Sequence, residues 1–240
     1  MTATPASGTE QRVAVITGGS QGIGAGLVAG YRQRGWAVVS NARGIEPSDK
    51  PDLVTVDGDI SQPETADRIM TAALDHFGHV DTLVNNAGVF LSKPFTDYTA
   101  ADYALVTGVN LAGFFWLTQL VIAQMVPRGR GHVVNISASV ADRADSTSPS
   151  VLAALTKGGL AAATRSLAIE YAPHGIRVNA VSPGVIRTPL HAGEEFSPEV
   201  SPMGHPGEVS DIVDGVLFLE SAPFVTGETL HIDGGQIAGG

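Results

Sequence analysis

The chain has 240 residues, enough for one sizeable hydrophobic core, and this length fits a single α/β domain. Its formal net charge of −10 excludes nucleic acid as an expected partner. It contains no cysteine, which excludes disulfides, thiolate nucleophiles and zinc–thiolate sites, and we predict no metal site.

The amino-terminal segment and the distribution of apolar residues set expectations about location. Residues 1–11 lack the order of basic, apolar and small residues that marks a secretory signal, and we predict a disordered lead-in there. No uninterrupted apolar run reaches the roughly 18–20 residues that a bilayer span requires, so no membrane partner is expected. We therefore expect a cytoplasmic protein with one domain over residues 12–240.

A glycine-rich turn follows the first predicted strand directly. Apolar residues 13–16 run into Thr17-Gly18-Gly19-Ser20-Gln21-Gly22-Ile23-Gly24, and a helical pattern follows. A dinucleotide-binding βα unit requires this order of strand, tight turn and helix. Gly18 allows a sharp exit from the strand, while Gly22 and Gly24 allow close approach of the backbone to a pyrophosphate at a helix N-terminus. Since an ordinary turn can also be rich in glycine, the motif needs support from the rest of the chain.

Short apolar runs alternate with longer helical patterns in the remaining chain. Further strands are predicted at residues 36–40, 53–56, 80–84, 131–136, 176–181 and 229–232. Helices are predicted at residues 63–77, 100–125, 149–171 and 207–219. This alternation favours right-handed parallel crossovers, and therefore an α/β fold with helices on both faces of the sheet. The irregular segment at residues 188–206 is predicted to be a lid over the substrate.

Several short segments together resemble the short-chain dehydrogenase/reductase family. Besides the glycine-rich turn, they are Asn85-Asn86-Ala87-Gly88, Val109-Asn110, Val133-Val134-Asn135-Ile136-Ser137, Thr156-Lys157, Arg177-Val178-Asn179-Ala180-Val181-Ser182-Pro183-Gly184, Thr226-Gly227 and Asp233-Gly234-Gly235. Their joint order and spacing carry the resemblance over nearly the whole chain. It implies a single Rossmann domain with a doubly wound, seven-stranded parallel sheet. It also implies an oxidoreductase acting on a small carbonyl or alcohol, assembled as a homodimer or homotetramer.

The resemblance also assigns cofactor-binding residues. They are Gly18, Ser20, Gln21, Gly22, Ile23, Gly24, Asn41, Arg43, Asp59, Ile60, Asn86, Ala87, Gly88, Lys157, Pro183, Gly184, Ile186 and Thr188. An acid at the end of the second strand selects NAD, whereas a basic residue there accepts the extra phosphate of NADP. Ala42 stands where the family carries that acid, and Arg43 follows with donors suited to phosphate, which Ser40 and Asn41 could supplement. We predict NADP(H), with NAD(H) as the alternative and a solvated turn as the competing interpretation of Arg43.

The catalytic positions depart from the family pattern. The resemblance implies a Tyr proton donor, a Lys one helical turn later, a Ser after the fifth strand and an Asn in the preceding long helix. Asn110 and Lys157 match the Asn and the Lys. Ala153 stands where the Tyr is expected, and Ala138 stands where the Ser is expected. Two of the four positions therefore lack a proton-active group.

Other groups must replace the missing serine and tyrosine if the protein is catalytic. Ser139 is favoured over Ser137 as the substitute serine, because Ser137 would point to the opposite side of a continuing strand. The candidates for the tyrosine are less direct. They are Ser150, His191, His205, a water molecule oriented by Lys157 and, less favoured, Tyr98 and Tyr103.

Three functions remain open. The favoured one is an NADP(H)-dependent oxidoreductase with an altered proton donor, which transfers a hydride between nicotinamide and a carbonyl or alcohol. The second is a non-catalytic NADP(H)-binding sensor or assembly subunit. The third is an enzyme inactivated by deliberate replacement of the Ser and Tyr by Ala. Leu155, where the family often carries Ser, argues against the third because the departure extends beyond two positions.

Overall fold

The computed structural model describes residues 10–144, 148–193 and 195–239. Its strands and helices alternate in this order: β1 (Val13–Thr17), α1 (Gly22–Gln33), β2 (Ala37–Ala42), β3 (Leu53–Asp57), α2 (Pro63–Phe77), β4 (Thr82–Asn85), α3 (Ala100–Thr107), α4 (Gly113–Met125), β5 (Gly131–Ile136), α5 (Val151–Tyr171), β6 (Ile176–Pro183), α6 (Val209–Ser221) and β7 (Thr229–Ile232). The predicted lead-in falls mostly outside the described residues. Of its two described residues, Glu10 forms an ion pair with Arg130, and the Gln11 side chain donates to the Gly35 carbonyl.

The strands form one parallel sheet in the order β3-β2-β1-β4-β5-β6-β7. The order reverses between β1 and β4, which is the topological switch point of a doubly wound sheet. The predicted α/β fold with a seven-stranded parallel sheet is confirmed.

Two apolar layers cover the sheet. On one face, side chains of α2, α4 and α5, including Ile69, Leu117 and Ala168, pack on the sheet. On the other face, α1 and α6 contribute Leu27 and Ile212 among others. Because both faces are covered, the central strands are buried along their length and read as continuous apolar runs.

Two strands end two residues later, and so closer to the site, than the apolar runs predict. β2 continues to Ala42 and β6 continues to Pro183. Both strand ends carry polar residues, such as Asn41 and Ser182, that are nevertheless buried. A strand predicted from its apolar residues stops at such polar residues, although their backbone groups still pair with the neighbouring strands.

The long helix predicted at residues 100–125 contains a π-helical turn at Gly108–Ala112 between α3 and α4. Such turns insert one extra residue and often lie at functional sites. The turn contains Asn110, which is buried. Gly113, directly after it, packs so closely on Ile60 that an added Cβ would lie 2.9 Å from an Ile60 side-chain carbon.

The run Ala100–Arg128 is long and apolar enough to cross a membrane by length and composition alone. The sequence expectation missed it because polar residues such as Asn110 interrupt the run. Leu117, Val121 and Met125 are buried against the sheet, as in a core helix. Phe115 on α4 and Ile169 on α5 are exposed, and the homodimer or homotetramer stays a prediction.

A network of buried polar side chains connects the central strands at their amino-terminal ends. The Glu220 carboxylate at the end of α6 accepts hydrogen bonds from Tyr31, from Thr82 and from Nδ1 of His132, at 3.1, 2.9 and 3.1 Å. Nε2 of His132 accepts from the Asn179 amide at 3.1 Å. This arrangement suits a neutral imidazole protonated at Nδ1, and burial lowers the pKa of His132 below its ordinary 6.5.

We expect this histidine to make the protein sensitive to mild acid. Because the folded state holds His132 neutral, the unfolded chain binds more protons below pH 6.5, and stability falls as the pH decreases through that range. One such group contributes at most about 1.4 kcal/mol per pH unit. The free energy of unfolding of the wild type, measured in urea between pH 7.5 and 5.5, should therefore fall more steeply than that of His132→Gln.

His76→Gln, on the exposed part of α2, is the matched control for the loss of a histidine. Equal pH slopes for the wild type and His132→Gln would contradict this assignment.

Candidate active site

A cleft of about 670 Å³ opens where the parallel strands end, around the switch point between β1 and β4. Ligands of open α/β sheets bind at this position because the loops diverge there. Most of the predicted site residues line the cleft. They are Gly18, Ser20, Gln21, Gly22, Ile23, Gly24, Asn41, Arg43, Asp59, Ile60, Asn86, Ala87, Gly88, Ser139, Lys157, Pro183, Gly184 and Thr188.

The turn between β1 and α1 needs glycine at several positions. Gly18 and Gly22 have φ of 68° and 54°, in the left-handed region that favours glycine. Gly24 has no space for a side chain, because a Cβ there would collide with the Gly18 carbonyl. α1 begins at Gly22 without a side-chain cap, and Gly22, Ile23 and Gly24 in its first turn line the cleft. The uncapped N–H groups and the positive end of the helix dipole therefore lie at the cleft. Such an end suits a phosphate group.

Side chains next to the turn hold it against the chain that follows β4. The Thr17 hydroxyl accepts the backbone N–H groups of Asn86 and Ala87 at 3.1 and 3.0 Å. The Asn86 amide donates to the carbonyls of Thr17 and Gly18 at 2.8 and 3.2 Å. Asn86 therefore stabilises the glycine-rich turn after β1 and also lines the cleft.

Arg43 lies at the cleft beside the end of β2, exposed and without an ion pair among the residues that the structure describes. Asn41 is buried, and its amide donates to the carbonyls of Val56 and Gly58 at 2.9 and 3.1 Å. Ser40 is also buried, packed where a Cβ on Gly19 would meet its hydroxyl. The Asn41 amide is therefore occupied by backbone carbonyls, whereas the Ser40 hydroxyl has no hydrogen-bond partner among the described residues but lies outside the cleft lining. Arg43 is the exposed donor at this end of the cleft.

Asp59 and Ile60 line the cleft after β3, where the Asp59 carboxylate accepts the Ser61 N–H at 2.9 Å. Gly88 lines it after β4, and a Cβ there would lie 3.2 Å from Nζ of Lys157. Glycine at position 88 thus allows the chain after β4 to pass close to the lysine.

Ile186 is the predicted cofactor-binding residue on the β6 side that does not line the cleft. Its side chain is buried in the layer formed by α1 and α6, and its backbone pairs with Gly207 in an isolated bridge. Pro183, Gly184 and Thr188 do line the cleft. The chain turns at this point so that Ile186 faces the core, a direction that the sequence motif does not show.

Lys157 extends from α5 to the end of β5. Its Nζ donates to the Ile136 carbonyl at 2.7 Å, which leaves two N–H groups of an ammonium for the cleft. Burial without a carboxylate partner lowers the pKa of Lys157 to about 8. A lysine with such a pKa can hold or release a proton near neutral pH.

Asn110 lies beneath the cleft and does not line it. Its amide donates to the Val89 carbonyl and its oxygen accepts the Val89 N–H, at 3.0 and 2.9 Å. It also donates to the Thr156 hydroxyl at 3.1 Å. Asn110 therefore joins the chain after β4 to the turn of α5 that carries Lys157. Its predicted support of Lys157 takes the form of the hydrogen bond to the adjacent Thr156.

Ala138 and Ala153 both line the cleft near Lys157. Ser139 lines it as well, with its hydroxyl 3.4 Å from Oε1 of Gln236. Ser137 is buried and donates to the Lys157 carbonyl at 3.3 Å, so it faces away from the cleft, as the strand period predicts. Ser139 is the serine that the structure brings to the site.

The other candidates for a proton donor lie elsewhere. Each of the four tyrosines is described, and none lines the cleft. His205 bonds the Pro206 carbonyl at 2.9 Å and also lies outside the lining, as does Ser150. The side chain of His191 lies outside the described part of the structure. Lys157 is thus the described lining residue near Ala153 whose pKa suits proton transfer.

Three polar lining residues were missed by sequence reasoning: Arg143, Ser148 and Gln236. They lie in the loops after β5 and β7, where no motif marks them. The position of Arg143 just after a strand that ends at the site was the one available signal. Among the described residues there is no group of three or more His, Asp or Glu side chains placed to hold a metal ion.

Comparison with known proteins agrees with this geometry. The family model described as enoyl-(acyl carrier protein) reductase matches residues 18–236. The chain is 35% identical over 242 residues to L-xylulose reductase from Bos taurus, covering 95% of this chain and 97% of that protein.

Two solved structures superpose closely. ElxO with NADP bound gives a TM-score of 0.88 at 28% identity, covering 95% of this chain and 99% of that chain. The 3-ketoacyl-(acyl-carrier-protein) reductase from Brucella melitensis complexed with NADH gives 0.86 at 30% identity, with coverage of 95% and 99%. With its parallel sheet, its glycine turn and its lysine at the end of β5, the chain belongs to the short-chain dehydrogenase/reductase family of oxidoreductases.

Proposed function

We propose that the protein is an NADP(H)-dependent oxidoreductase that interconverts a carbonyl and an alcohol, with Lys157 as the proton donor in place of a tyrosine. The observation that carries the proposal is the position of Lys157, half-buried at the cleft and one helical turn after Ala153. Ala153 is a lining residue that can neither donate nor accept a proton.

The cleft fits a dinucleotide. The left-handed Gly18 and Gly22 and the uncapped start of α1 form a cradle, and Gly24 lets α1 pack directly on the turn because a Cβ there would collide with the Gly18 carbonyl. When bound there, a nicotinamide cofactor supplies or accepts the hydride. Similar structures hold NADP and NADH, which supports a nicotinamide dinucleotide as the ligand of this cleft.

Charge at the end of β2 supports NADP(H) over NAD(H). Ala42 lines the cleft where an acid would be needed to bind ribose hydroxyls, and Arg43 lines it next. The nearby Asp57 is turned to the backbone of this loop, because its carboxylate accepts the Gly44 N–H at 2.6 Å. An unpaired guanidinium beside the cleft favours a phosphate.

The protein's own groups can handle the proton. The Lys157 ammonium is held by the Ile136 carbonyl at 2.7 Å, so one N–H fixes the side chain while the others face the cleft. During reduction, Nζ donates a proton to the oxygen of the carbonyl whose carbon receives the hydride. During oxidation, the neutral amine takes that proton back from the hydroxyl. The Ser139 hydroxyl lines the same cleft, and we assign it the hydrogen bond to that oxygen.

Replacement of Arg43 should change cofactor preference. We expect Arg43→Ala to weaken binding of NADPH by roughly tenfold and to leave binding of NADH nearly unchanged, since only NADPH carries the phosphate. Fluorescence titration with each cofactor measures both dissociation constants. Arg165→Ala, exposed on α5 and outside the cleft lining, removes the same charge and should change neither. Equal losses for the two cofactors would contradict the assignment.

The pH dependence of the reaction should report on Lys157. Because the ammonium is the acid, kcat/KM for carbonyl reduction should be flat at low pH and should fall as the pH rises through about 8. Alcohol oxidation needs the amine, so its rate should rise over the same range. The measurement is absorbance of the reduced cofactor at 340 nm. Tight binding of NADPH without turnover of any carbonyl or alcohol would instead favour the non-catalytic sensor.

A tyrosine introduced next to Lys157 should restore a stronger proton donor. We expect Ala153→Tyr to raise the rate of carbonyl reduction by at least about tenfold, because general acids typically contribute roughly 10²–10⁴. Ala153→Phe places the same ring without the hydroxyl and should give no increase. A similar rise in both variants, or a fall in both, would contradict the prediction; thermal melts check that each variant is folded.

A further inference from the structure

Charged side chains divide the cleft into two halves. Arg43 and Asp59 follow β2 and β3, on one side of the switch point. Arg143 follows β5 and Lys157 lies in α5, on the other side. In the described lining, this second half holds cations and no carboxylate, although the chain has 14 Lys and Arg against 24 Asp and Glu. A local excess of positive charge in a cleft attracts anionic ligands.

Arg143 is held in place but is not neutralised. Its backbone N–H donates to the Ser139 carbonyl at 3.0 Å, and its Nη1 donates to the backbone oxygen of Gln236 at 2.9 Å. Over the described ranges no carboxylate pairs with it, and the adjacent Asp142 faces His231 at 3.4 Å. A guanidinium has five N–H donors, so most of them remain for a ligand.

Gln236 fixes the wall that carries Arg143. Its amide donates to the Val200 carbonyl at 2.6 Å, and its Oε1 lies 3.4 Å from the Ser139 hydroxyl. A Cβ at Gly184 would collide with this amide. The turn after β5, the end of β6 and the segment around Val200 are thereby joined through one side chain, and Arg143 projects from a fixed backbone.

The surroundings of Arg143 favour an anion on one side of its guanidinium. A second cavity of about 550 Å³ adjoins the cleft and shares Arg143 and Gln236 with it. Glu195 and Glu199 line that second cavity. Their charge opposes an anion there, so an anionic group bound to Arg143 lies on the side of the main cleft.

We propose that Arg143 binds an oxyanion of the substrate, so that small carbonyl compounds carrying a carboxylate or a phosphate are the preferred substrates. The planar fork of arginine matches both groups in a bidentate manner. This inference rests on the proposed function, because it takes the second half of the cleft as the place of the carbonyl.

The test measures binding rather than turnover. Protein saturated with NADP⁺ cannot reduce a carbonyl, so calorimetric titration reports affinity alone. Two matched pairs of probes separate the sources of the oxyanion: pyruvate against methyl pyruvate, and dihydroxyacetone phosphate against dihydroxyacetone. The proteins are the wild type, Arg143→Gln, Arg143→Lys and, as the matched control, Arg165→Gln on the exposed part of α5.

In at least one pair, we expect the wild type to bind the anionic member roughly tenfold or more tightly than the neutral one, since hydrogen bonds to charged groups are the stronger ones. Arg143→Gln should remove this preference and leave the neutral member within about twofold. Arg143→Lys should keep part of it, because the charge remains but the fork is lost. Arg165→Gln should bind as the wild type does.

The inference fails if the wild type binds both members of each pair equally, or if Arg143→Gln keeps the preference. A preliminary titration with NADP⁺ alone separates this failure from that of the proposed function. Absence of NADP⁺ binding contradicts the proposed function itself. Normal NADP⁺ binding without preference for the anion contradicts only the role of Arg143.

Discussion

The cleft depends on one close approach, between the turn after β1 and the chain after β4. A Cβ at Gly18 would lie 2.9 Å from Cα of Ala87, so the two segments touch through backbone. The Thr17 hydroxyl and the Asn86 amide fix this contact with hydrogen bonds of 2.8 to 3.2 Å. Since β1 and β4 are neighbours at the switch point, the loops on either side diverge, and the opening that results is the cleft.

Buried polar groups have different surroundings at the two ends of the strands. Where the strands begin, His132 and Glu220 are surrounded by partners, so the network joins α1, α6 and the central strands. Where the strands end, Lys157 is half-buried with a single carbonyl partner. An ammonium that lacks a counter-charge loses its proton more easily. The first arrangement favours stability, and the second favours chemistry at neutral pH.

Much of the fold and of the candidate site could be predicted from the sequence. α2 and β7 were predicted with the bounds that the structure shows, because their patterns are regular and their ends are marked by turn residues. The glycine turn was placed correctly, since only glycine accepts its backbone geometry. The end of a strand such as β2 was predicted too early because a polar residue such as Asn41 was not expected to be buried within it. Asn41 can be buried because its side-chain amide donates hydrogen bonds to backbone carbonyls of the neighbouring segment.

The sequence by itself determined the alternation of strands and helices, the glycine-rich turn, Arg43 at the end of β2, and the absence of a tyrosine four residues before Lys157. These follow from local geometry and from the order of residues along the chain. Only the tertiary structure decided that Ile186 faces the core, that Asn110 pairs with Val89, and that Arg143 reaches the cleft. It also decided the pKa of Lys157, because that value depends on how much water the packed helices exclude.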